Sequence, residues 1–287
     1  MSSAGGTPPV LPPGVTGNPY IYGQWKQIEG CYYGWYTPIN MFNMLQFCKE
    51  KEMLIDAVRY KSDTADIEWA GEVAHHFCTN ADSLFALIHG GILRGKVRKQ
   101  FRATSVYSRL EKLDSAIIKK ASSEGRMREA IDAYPETSRQ WVYDVDCSTE
   151  GKALDWRIAR AWNDASQLID RYQAEGMELQ AVFSGSKGFH VELEEWGKPD
   201  EVRKENKAEA LELKERMPFL DTTIYGRRRA WRVPYSIHGK TGLVCWPLSE
   251  EYVGMLNDGR VSEFLEMMRP ERLIHCETLK NRGKVLL

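Results

Sequence analysis

Long apolar runs are missing from this chain of 287 residues. A membrane-spanning helix needs about 18 or more consecutive apolar residues, and no such run occurs. The first residues also lack the basic and apolar regions of a secretory signal. We therefore expect no membrane partner and, by default, a cytoplasmic location.

Closely spaced cysteine pairs are missing as well. The chain has six cysteines but no C-x-x-C pair, which is the usual mark of a zinc knuckle. Scattered cysteines in a chain of this size also argue against a disulfide framework. We expect free, mostly buried thiols. The cysteines are Cys31, Cys48, Cys78, Cys147, Cys245 and Cys276.

An overall positive charge is the third absence. The formal net charge of -1 lacks the basic footprint that nucleic-acid-binding proteins usually carry. Positive residues are instead clustered at 94–102 and 227–232, and acidic residues crowd 192–215. Most charge runs are solvated faces, so only a position beside a site would make them functional. The candidate nucleic-acid contacts are Arg94, Lys96, Arg98, Lys99 and Arg102.

The composition supports one large domain after a flexible tail. Residues 1–19 are rich in Pro, Gly, Ser and Thr, so ordering them would cost more entropy than burial returns. The hydrophobic content of 43% is enough for a full core in residues 20–287.

Apolar periodicity predicts the helices and strands. Helices are expected to begin at Pro38 with a buried stripe of Ile39, Phe42, Leu45 and Cys48, and to cover 80–90, 151–175 and 201–217. A long helix is also expected from about Tyr107 to a point before Pro135, with its apolar residues at 107, 110, 113, 117 and 118. Two short helices capped by Ser249 and Ser262 should follow. Strands are expected at 180–183 and 189–193, and a strand pair at 230–235 and 243–246.

The segment WVYDVDC, residues 141–147, carries two aspartates at alternate positions. In a strand, Asp144 and Asp146 would share one face, while Tyr143 and Val145 would lie on the other face, under the helix predicted at 151–175. Two adjacent carboxylates favour a hard divalent cation between them. The alternative is an exposed edge strand with two solvated aspartates, and this motif alone does not decide between them.

Two glycine-containing loops could bind phosphate. SGSKGFH (184–190) and SIHGKTG (236–242) each combine hydroxyls, glycines, a lysine and a histidine. Either could also be a simple hairpin turn. The second is not a Walker A loop, because Pro234 stands where its first glycine would be. The candidate nucleotide ligands are Ser184, Ser186, Lys187, His190, Arg232, Ser236, His238 and Lys240.

Asp221 lies between these loops, and a lone aspartate there is most often a cap or turn residue. Three carboxylates and two such loops are nevertheless the components of metal-assisted nucleotidyl transfer. Their order resembles the archaeo-eukaryotic primase superfamily, which includes archaeal primase small subunits and plasmid- or phage-type primase-polymerases. YDVDC is similar to the first motif of that family, SGSKGFH to the second, Asp221 to the third acid, and RVPYSIHGKTGL to its nucleotide-binding segment.

The resemblance covers residues 141–247 and implies a fold of the α/β class, α+β type. Mixed or antiparallel sheets, flanked by helices, would form two lobes with the active site in the cleft between them. The chain would then have an N-terminal lobe at about 20–135, a motif-bearing core at about 136–250 and C-terminal helices at about 250–287.

The resemblance further implies that Asp144, Asp146 and Asp221 are catalytic and bind two Mg²⁺ or Mn²⁺ ions. The partners would be a single-stranded DNA template, NTP or dNTP substrates, and a helicase or accessory primase subunit, in the replisome of a prokaryote, plasmid or phage-infected cell. Ser186 departs from the basic residue common in archaeal small subunits, and SGSKG is closer to repair polymerases attached to bacterial ligases. No structural zinc is predicted from His75, His76 and Cys78.

Three functions therefore remain open from the sequence. The first is a primase that synthesises primers and also extends them. The second is a gap-filling repair polymerase that needs an existing 3′ end. The third is a non-catalytic nucleic-acid-binding replication subunit, whose aromatic residues would stack on bases.

Overall fold

Two antiparallel sheets organise the protein in a computed structural model, which describes residues 38–50, 55–62, 74–78, 101–113, 136–226, 229–238 and 241–273. In chain order the elements are α1 (Pro38–Glu50), β1 (Ile55–Ser62), β2 (Ala74–Cys78), β3 (Phe101–Arg109), β4 (Glu111–Leu113), β5 (Glu136–Asp146), α2 (Leu154–Ala174), β6 (Leu179–Phe183), β7 (Gly188–Gly197), α3 (Pro199–Leu213), β8 (Ala230–Arg232), β9 (Trp246–Pro247), α4 (Glu250–Asn257), α5 (Val261–Met267) and α6 (Pro270–Leu273). The flexible tail predicted at 1–19 and the helix predicted at 80–90 lie outside these residues.

The sheets exchange strands between the two halves of the chain. One has four strands in the order β2-β1-β3-β8, and the other has five in the order β4-β5-β7-β6-β9. Strand β8 thus joins the sheet of the N-terminal strands, and β4 joins the sheet of the motif-bearing core. This is the mixed α/β class with antiparallel sheets and flanking helices that the sequence predicted.

The predicted packing of α2 against β5 is confirmed. Tyr143 and Val145 are fully buried, and the Tyr143 ring stacks on Tyr172 of α2 with centroids 5.6 Å apart. On β7, Phe189 contacts Trp162 of α2 in an edge-to-face arrangement at 5.1 Å. Side chains alternate along a strand, so the aspartates of β5 lie on the face of the sheet that does not contact α2.

The long helix predicted from about Tyr107 to a point before Pro135 is wrong for residues 107–113, and its remainder lies outside the described residues. Strand β3 continues to Arg109, and β4 follows at once, with Tyr107 opposite Arg232 of β8 and Glu111 opposite Arg139 of β5. The apolar residues at 107, 110 and 113 also fit helical spacing. The segment forms strands because it pairs with strands more than twenty residues away in the sequence. Local periodicity carries no information on that pairing.

The predicted pair of strands at 230–235 and 243–246 is also wrong. Strand β8 pairs with β3, whereas β9 pairs with β6 in the other sheet. The segment between them turns back on itself, with an isolated bridge between Ile237 and Val244. The chain therefore crosses from one sheet to the other here, where the sequence suggested one hairpin.

The bounds of the predicted helices differ in several places, since α3 covers Pro199–Leu213 where 201–217 was predicted and α6 was not predicted. Helix α1 begins at Pro38 as predicted, but its buried side includes Met44 and Phe47 while Leu45 is only half-buried. Helix α4 begins after Ser249, whereas α5 begins at Val261, so Ser262 is inside it. No helix in the described ranges has the length and apolarity needed to cross a membrane.

A buried ionic cluster lies at the end of β5 away from the aspartates. Arg139 contacts Glu111 of β4, and both side chains are completely buried. Arg203 of α3 lies 3.4 Å from Glu111 and 2.6 Å from Glu136. Arg139 also donates a hydrogen bond of 3.3 Å to the carbonyl of Ile224. The cluster thus ties β4, β5, α3 and the segment after Asp221 together.

Replacing Arg139 with methionine should lower the free energy of unfolding by about 3 kcal/mol, because it removes one partner of a buried ion pair. Urea denaturation measures the change. Arg260→Met is the matched control, because it breaks the exposed pair with Glu263 and should leave stability nearly unchanged. Equal effects of the two substitutions would contradict the burial of the Arg139–Glu111 pair.

Candidate active site

Asp144 and Asp146 lie on the face of β5 opposite to α2, as the alternation of the strand predicted. In the antiparallel pairing with β7, Asp144 is opposite His190 and Asp146 is opposite Gly188. Directly opposite residues in a sheet share a face. The two aspartates and His190 are therefore on one surface, and this predicted geometry is confirmed.

Asp221 is brought to the same place by a short segment that pairs with the end of β5. The amide of Asp221 donates to the carbonyl of Asp144, and the amide of Asp146 donates to the carbonyl of Phe219, both at 2.8 Å. Leu220 and Val145 form an isolated antiparallel bridge between these bonds. The three carboxylates that the sequence singled out thus meet at one end of one strand.

Two residues that the sequence analysis missed hold this segment in place. Asp164 of α2 is 2% exposed and accepts a hydrogen bond of 2.9 Å from the amide of Phe219. Lys214, at the end of α3, donates to the carbonyl of Leu220 at 2.6 Å. The available signal for Asp164 was a charged side chain inside the apolar stripe of α2, because a buried carboxylate needs a donor.

The carboxylates destabilise one another's charged forms. Burial, then the charges of Asp146 and Asp221, raise the pKa of Asp144 to about 8, although Arg229 and Arg232 act in the opposite direction. Burial also raises the pKa of Asp146, while Lys187 opposes the shift with its ammonium group 3.2 Å from a carboxylate oxygen. Burial is the largest cause of both shifts, and it outweighs the nearby cations.

The donor set suits a hard divalent cation. Among the described residues, no group of three or more His, Cys, Asp or Glu side chains is arranged so that it could hold a metal ion. The Oδ1 atom of Asp146 is buried, however, and no described group donates a hydrogen bond to it. An uncompensated carboxylate oxygen beside two further carboxylates fits Mg²⁺ or Mn²⁺, which prefer oxygen ligands. That Asp144, Asp146 and Asp221 hold such ions stays a prediction from the sequence.

His190 is buried beside the carboxylates in an aromatic and acidic setting. Its ring lies 4.0 Å from the ring of Trp231, centroid to centroid, and Trp231 donates a hydrogen bond of 2.7 Å to buried Glu192. Burial lowers the pKa of His190 to about 4, with Arg232 adding to the shift and Glu192 opposing it. Within the described residues, Nδ1 of His190 is buried without a hydrogen-bond partner.

Trp231 and Glu192 are further residues that the sequence analysis missed. Glu192 shares the face of His190 because it lies two residues further along β7, so strand alternation was an available signal. Trp231 comes from β8 of the other sheet. Its position follows from the tertiary fold and has no local signal. The site thus lies where the two sheets approach each other.

The loop at 184–188 is held by its own serine. The hydroxyl of Ser184 donates to the carbonyl of Gly188 at 2.9 Å and accepts from the amide of Ser186 at 3.3 Å. Gly185 has a φ of 75°, and a Cβ atom there would lie 3.1 Å from backbone atoms of Leu243 and Cys245. Glycine is therefore needed both for the turn and for the close approach of the second loop.

The second loop contacts the first through a residue outside the predicted set. Thr241 donates a hydrogen bond from its hydroxyl to the carbonyl of Gly185, and the same hydroxyl lies 3.3 Å from Nδ1 of His238. His238 is thereby brought beside the first loop, and its contact with a nucleotide stays a prediction. Ser236 differs, because it is fully buried and its hydroxyl donates to the carbonyl of Val233 at 2.7 Å. A nucleotide contact from Ser236 stays a prediction.

Of the remaining predicted ligands, the structure describes the side chain of Arg232 but not that of Lys240. Arg232 of β8 is half-buried, and its guanidinium lies 4.9 Å from the centre of the Tyr107 ring. Its charge lowers the pKa of both Asp144 and His190, against the effect of burial at Asp144 and together with it at His190. Side chains that lie outside the described residues are those of Arg94, Lys96, Arg98, Lys99, Arg102 and Lys240, and those of His75, His76 and Cys78.

Comparison with known proteins adds little to this geometry. No protein-family model and no curated protein sequence matches the chain. Among solved structures, it is similar to the polymerase domain from Mycobacterium tuberculosis Ligase D in complex with DNA, with 16% sequence identity and a TM-score of 0.48, over 87% of this chain and 93% of that one. A TM-score of 0.48 is too low to carry an argument, so the functional case depends on the site itself.

Proposed function

We propose that the protein is a nucleotidyltransferase that copies a single-stranded DNA template, synthesising primers and extending them. The observation that carries this proposal is the meeting of Asp144, Asp146 and Asp221 at one end of β5, on the face that bears His190. Metal-assisted transfer to a hydroxyl needs oxygen ligands of this kind beside groups that bind phosphate.

In this proposal the three aspartates hold two Mg²⁺ or Mn²⁺ ions. When bound, such ions make an attacking hydroxyl more acidic and stabilise the charge of the departing pyrophosphate. The chain itself keeps the carboxylates in fixed positions, because backbone hydrogen bonds tie Asp221 directly to Asp144. Charged groups that are already in position need little reorganisation during the reaction. This preorganisation is the main source of electrostatic catalysis.

The phosphates of the incoming nucleotide would lie between the two loops and β8. His190 supplies a ring that Trp231 keeps in one orientation, and Arg232 adds a positive charge from the other sheet. Lys187 lies 3.2 Å from Asp146 and is 29% exposed, so its ammonium group is positioned to contact a phosphate near the carboxylates. Ser184, Ser186 and His238 line the same region through the loop contacts described above.

The test is nucleotide incorporation by the purified protein with Mn²⁺ or Mg²⁺. Single-stranded templates are offered with and without an annealed primer, and with either NTPs or dNTPs, and the products are resolved on a denaturing gel. We expect product on both kinds of template. No product from the wild-type protein under any condition overturns the proposal.

The same experiment separates the alternative that the SGSKG loop favours. Product from primed or gapped templates alone identifies a gap-filling polymerase. A non-catalytic replication subunit predicts binding that weakens with salt and is indifferent to the aspartates. A helicase or accessory primase subunit as partner is a further proposal, which affinity purification from the native host would test.

A further inference from the structure

A patch of basic and aromatic side chains lies at the start of α2, next to the aspartates. Helix α2 begins at Leu154, shortly after Asp146, and the connecting residues 148–153 are exposed. Lys152, Trp156 and Arg160 recur at every fourth position, a spacing that brings side chains together on one side of a helix. We call Lys152, Trp156, Arg157 and Arg160 the α2 patch.

Trp156 is the centre of the patch and is suited to stacking. Its side chain is half-buried, so part of the ring packs on the core and part faces solvent. The ammonium group of Lys152 lies 5.5 Å from the ring centroid, and the guanidinium of Arg160 lies 5.4 Å from it. Both cations are on exposed side chains, so either can move to a phosphate and leave a ring face to a base.

Arg157 connects the patch to the carboxylates. It is half-buried and follows Asp146 by eleven residues, and its charge is one of those that oppose the burial-driven rise in the pKa of Asp146. Its Nε atom is buried, and no described group accepts a hydrogen bond from it. A buried donor without an acceptor is costly, and an arginine in this state is suited to an incoming anion.

The charge balance around the site points to the same kind of ligand. The three aspartates repel any polyanion, and Lys187, which lies 3.2 Å from Asp146, is assigned in the proposed function to the phosphates of the nucleotide. The exposed acids in the patch region are Glu150 and Asp155, and an oxygen of Asp155 accepts from the amide of Trp156. The three cations of the patch outnumber these two acids on the approach to Asp146.

We propose that the α2 patch binds a single-stranded polynucleotide beside the carboxylates, with Arg157, Lys152 and Arg160 on its phosphates and Trp156 stacked on a base. A polynucleotide offers phosphates at regular intervals together with flat bases, and cations interleaved with an aromatic ring match that combination. This inference rests on the proposed function, since it names the surface on which the copied or extended strand lies.

The experiment measures binding without catalysis. Fluorescence anisotropy of a fluorescein-labelled single-stranded oligodeoxynucleotide is recorded in EDTA over a range of salt concentrations. Arg157→Gln should weaken binding about fivefold to tenfold. The slope of log K against log salt should become shallower by about 0.7, because one phosphate contact on a single strand is lost. Lys204→Gln on α3 removes the same charge from another exposed surface and should change neither quantity.

The role of Trp156 is tested by two substitutions that both remove the indole, of which only one keeps an aromatic ring. Trp156→Leu should weaken binding about five- to twentyfold through the lost base stack, whereas Trp156→Phe should retain most of the affinity. Because Trp156 also packs on the core, thermal melting of each variant is measured in parallel. If Phe and Leu weaken binding equally at equal melting temperature, the stacking role is wrong.

The outcomes separate this inference from the proposed function. The proposal for the α2 patch alone is overturned if the wild type binds the oligonucleotide and incorporates nucleotides and the patch variants do both equally well. Wild-type protein that neither binds nor incorporates overturns the proposed function. A fluorescent nucleoside triphosphate is the second probe. If Arg157→Gln weakens its binding and leaves oligonucleotide binding unchanged, the patch serves the nucleotide and the inference is wrong.

Discussion

Replacing Asp144 with asparagine should reduce nucleotide incorporation by roughly a thousandfold, which corresponds to about 4 kcal/mol in activation free energy. The amide keeps the size of the side chain but loses the charge that a divalent cation needs. The same substitution should raise the melting temperature in EDTA, because the charged form of Asp144 is disfavoured by burial and then by the charges of Asp146 and Asp221. Relief of about 1 kcal/mol corresponds to roughly 2–4 °C in a domain of this size.

Asp144→Asn should thus lower activity and raise stability, so a general loss of structure cannot explain the expected result. Asp170→Asn, on the exposed side of α2, is the matched control and should change neither quantity. Added Mn²⁺ should raise the melting temperature of the wild type more than that of Asp144→Asn, since a ligand stabilises only the form that binds it. Undiminished incorporation by Asp144→Asn contradicts the proposed catalysis, and a lower melting temperature in EDTA contradicts the mutual repulsion of the carboxylates.

Replacing Gly188 with alanine should lower the free energy of unfolding by about 3 kcal/mol or more. A Cβ atom at this position would lie 1.9 Å from the carbonyl oxygen of Val145 and 3.0 Å from the Cα of Asp146. All of these contacts are backbone atoms of the neighbouring strand, so only separation of β5 from β7 relieves them. The loss should be accompanied by weaker incorporation, because Asp146 is the residue opposite Gly188.

Gly254→Ala is the control for this substitution. Gly254 lies in α4, and a Cβ atom there would meet nothing within 4 Å. Alanine should stabilise the helix by up to about 1 kcal/mol, since it has the higher helix propensity. Urea denaturation gives both values, and hydrogen exchange at the β5 and β7 amides locates the damage. A Gly188→Ala protein of wild-type stability is incompatible with the pairing of Gly188 and Asp146.

Much of the site could be predicted from local patterns. Alternation along β5 placed Asp144 and Tyr143 on different faces of the sheet. The same rule placed His190 and Phe189 of β7 on different faces. Apolar spacing located α2 and its buried stripe to within a few residues of its ends. These features depend on the chain's own periodicity, which a sequence contains directly.

Other parts of the site depend on segments that are distant in sequence. Asp164 and Lys214 hold the strand-like segment before Asp221, and each acts through a single hydrogen bond to its backbone. Trp231 reaches His190 only because β8 joins the sheet of β3. For the same reason the expected helix at 107–113 is two strands. Contacts of this kind leave no periodic signal, because nothing local decides which partner a strand meets.

The sequence by itself determined the chemical content of the site: two carboxylates on one strand face, a third further along, and two loops with hydroxyls, glycines and cations. Only the tertiary structure decided that these groups converge. It paired Asp221 with Asp144, brought Thr241 onto Gly185 and set Trp231 against His190. The physical reason is that strand alternation is encoded residue by residue, whereas the partner of each strand is selected by the burial and backbone hydrogen bonding of the whole fold.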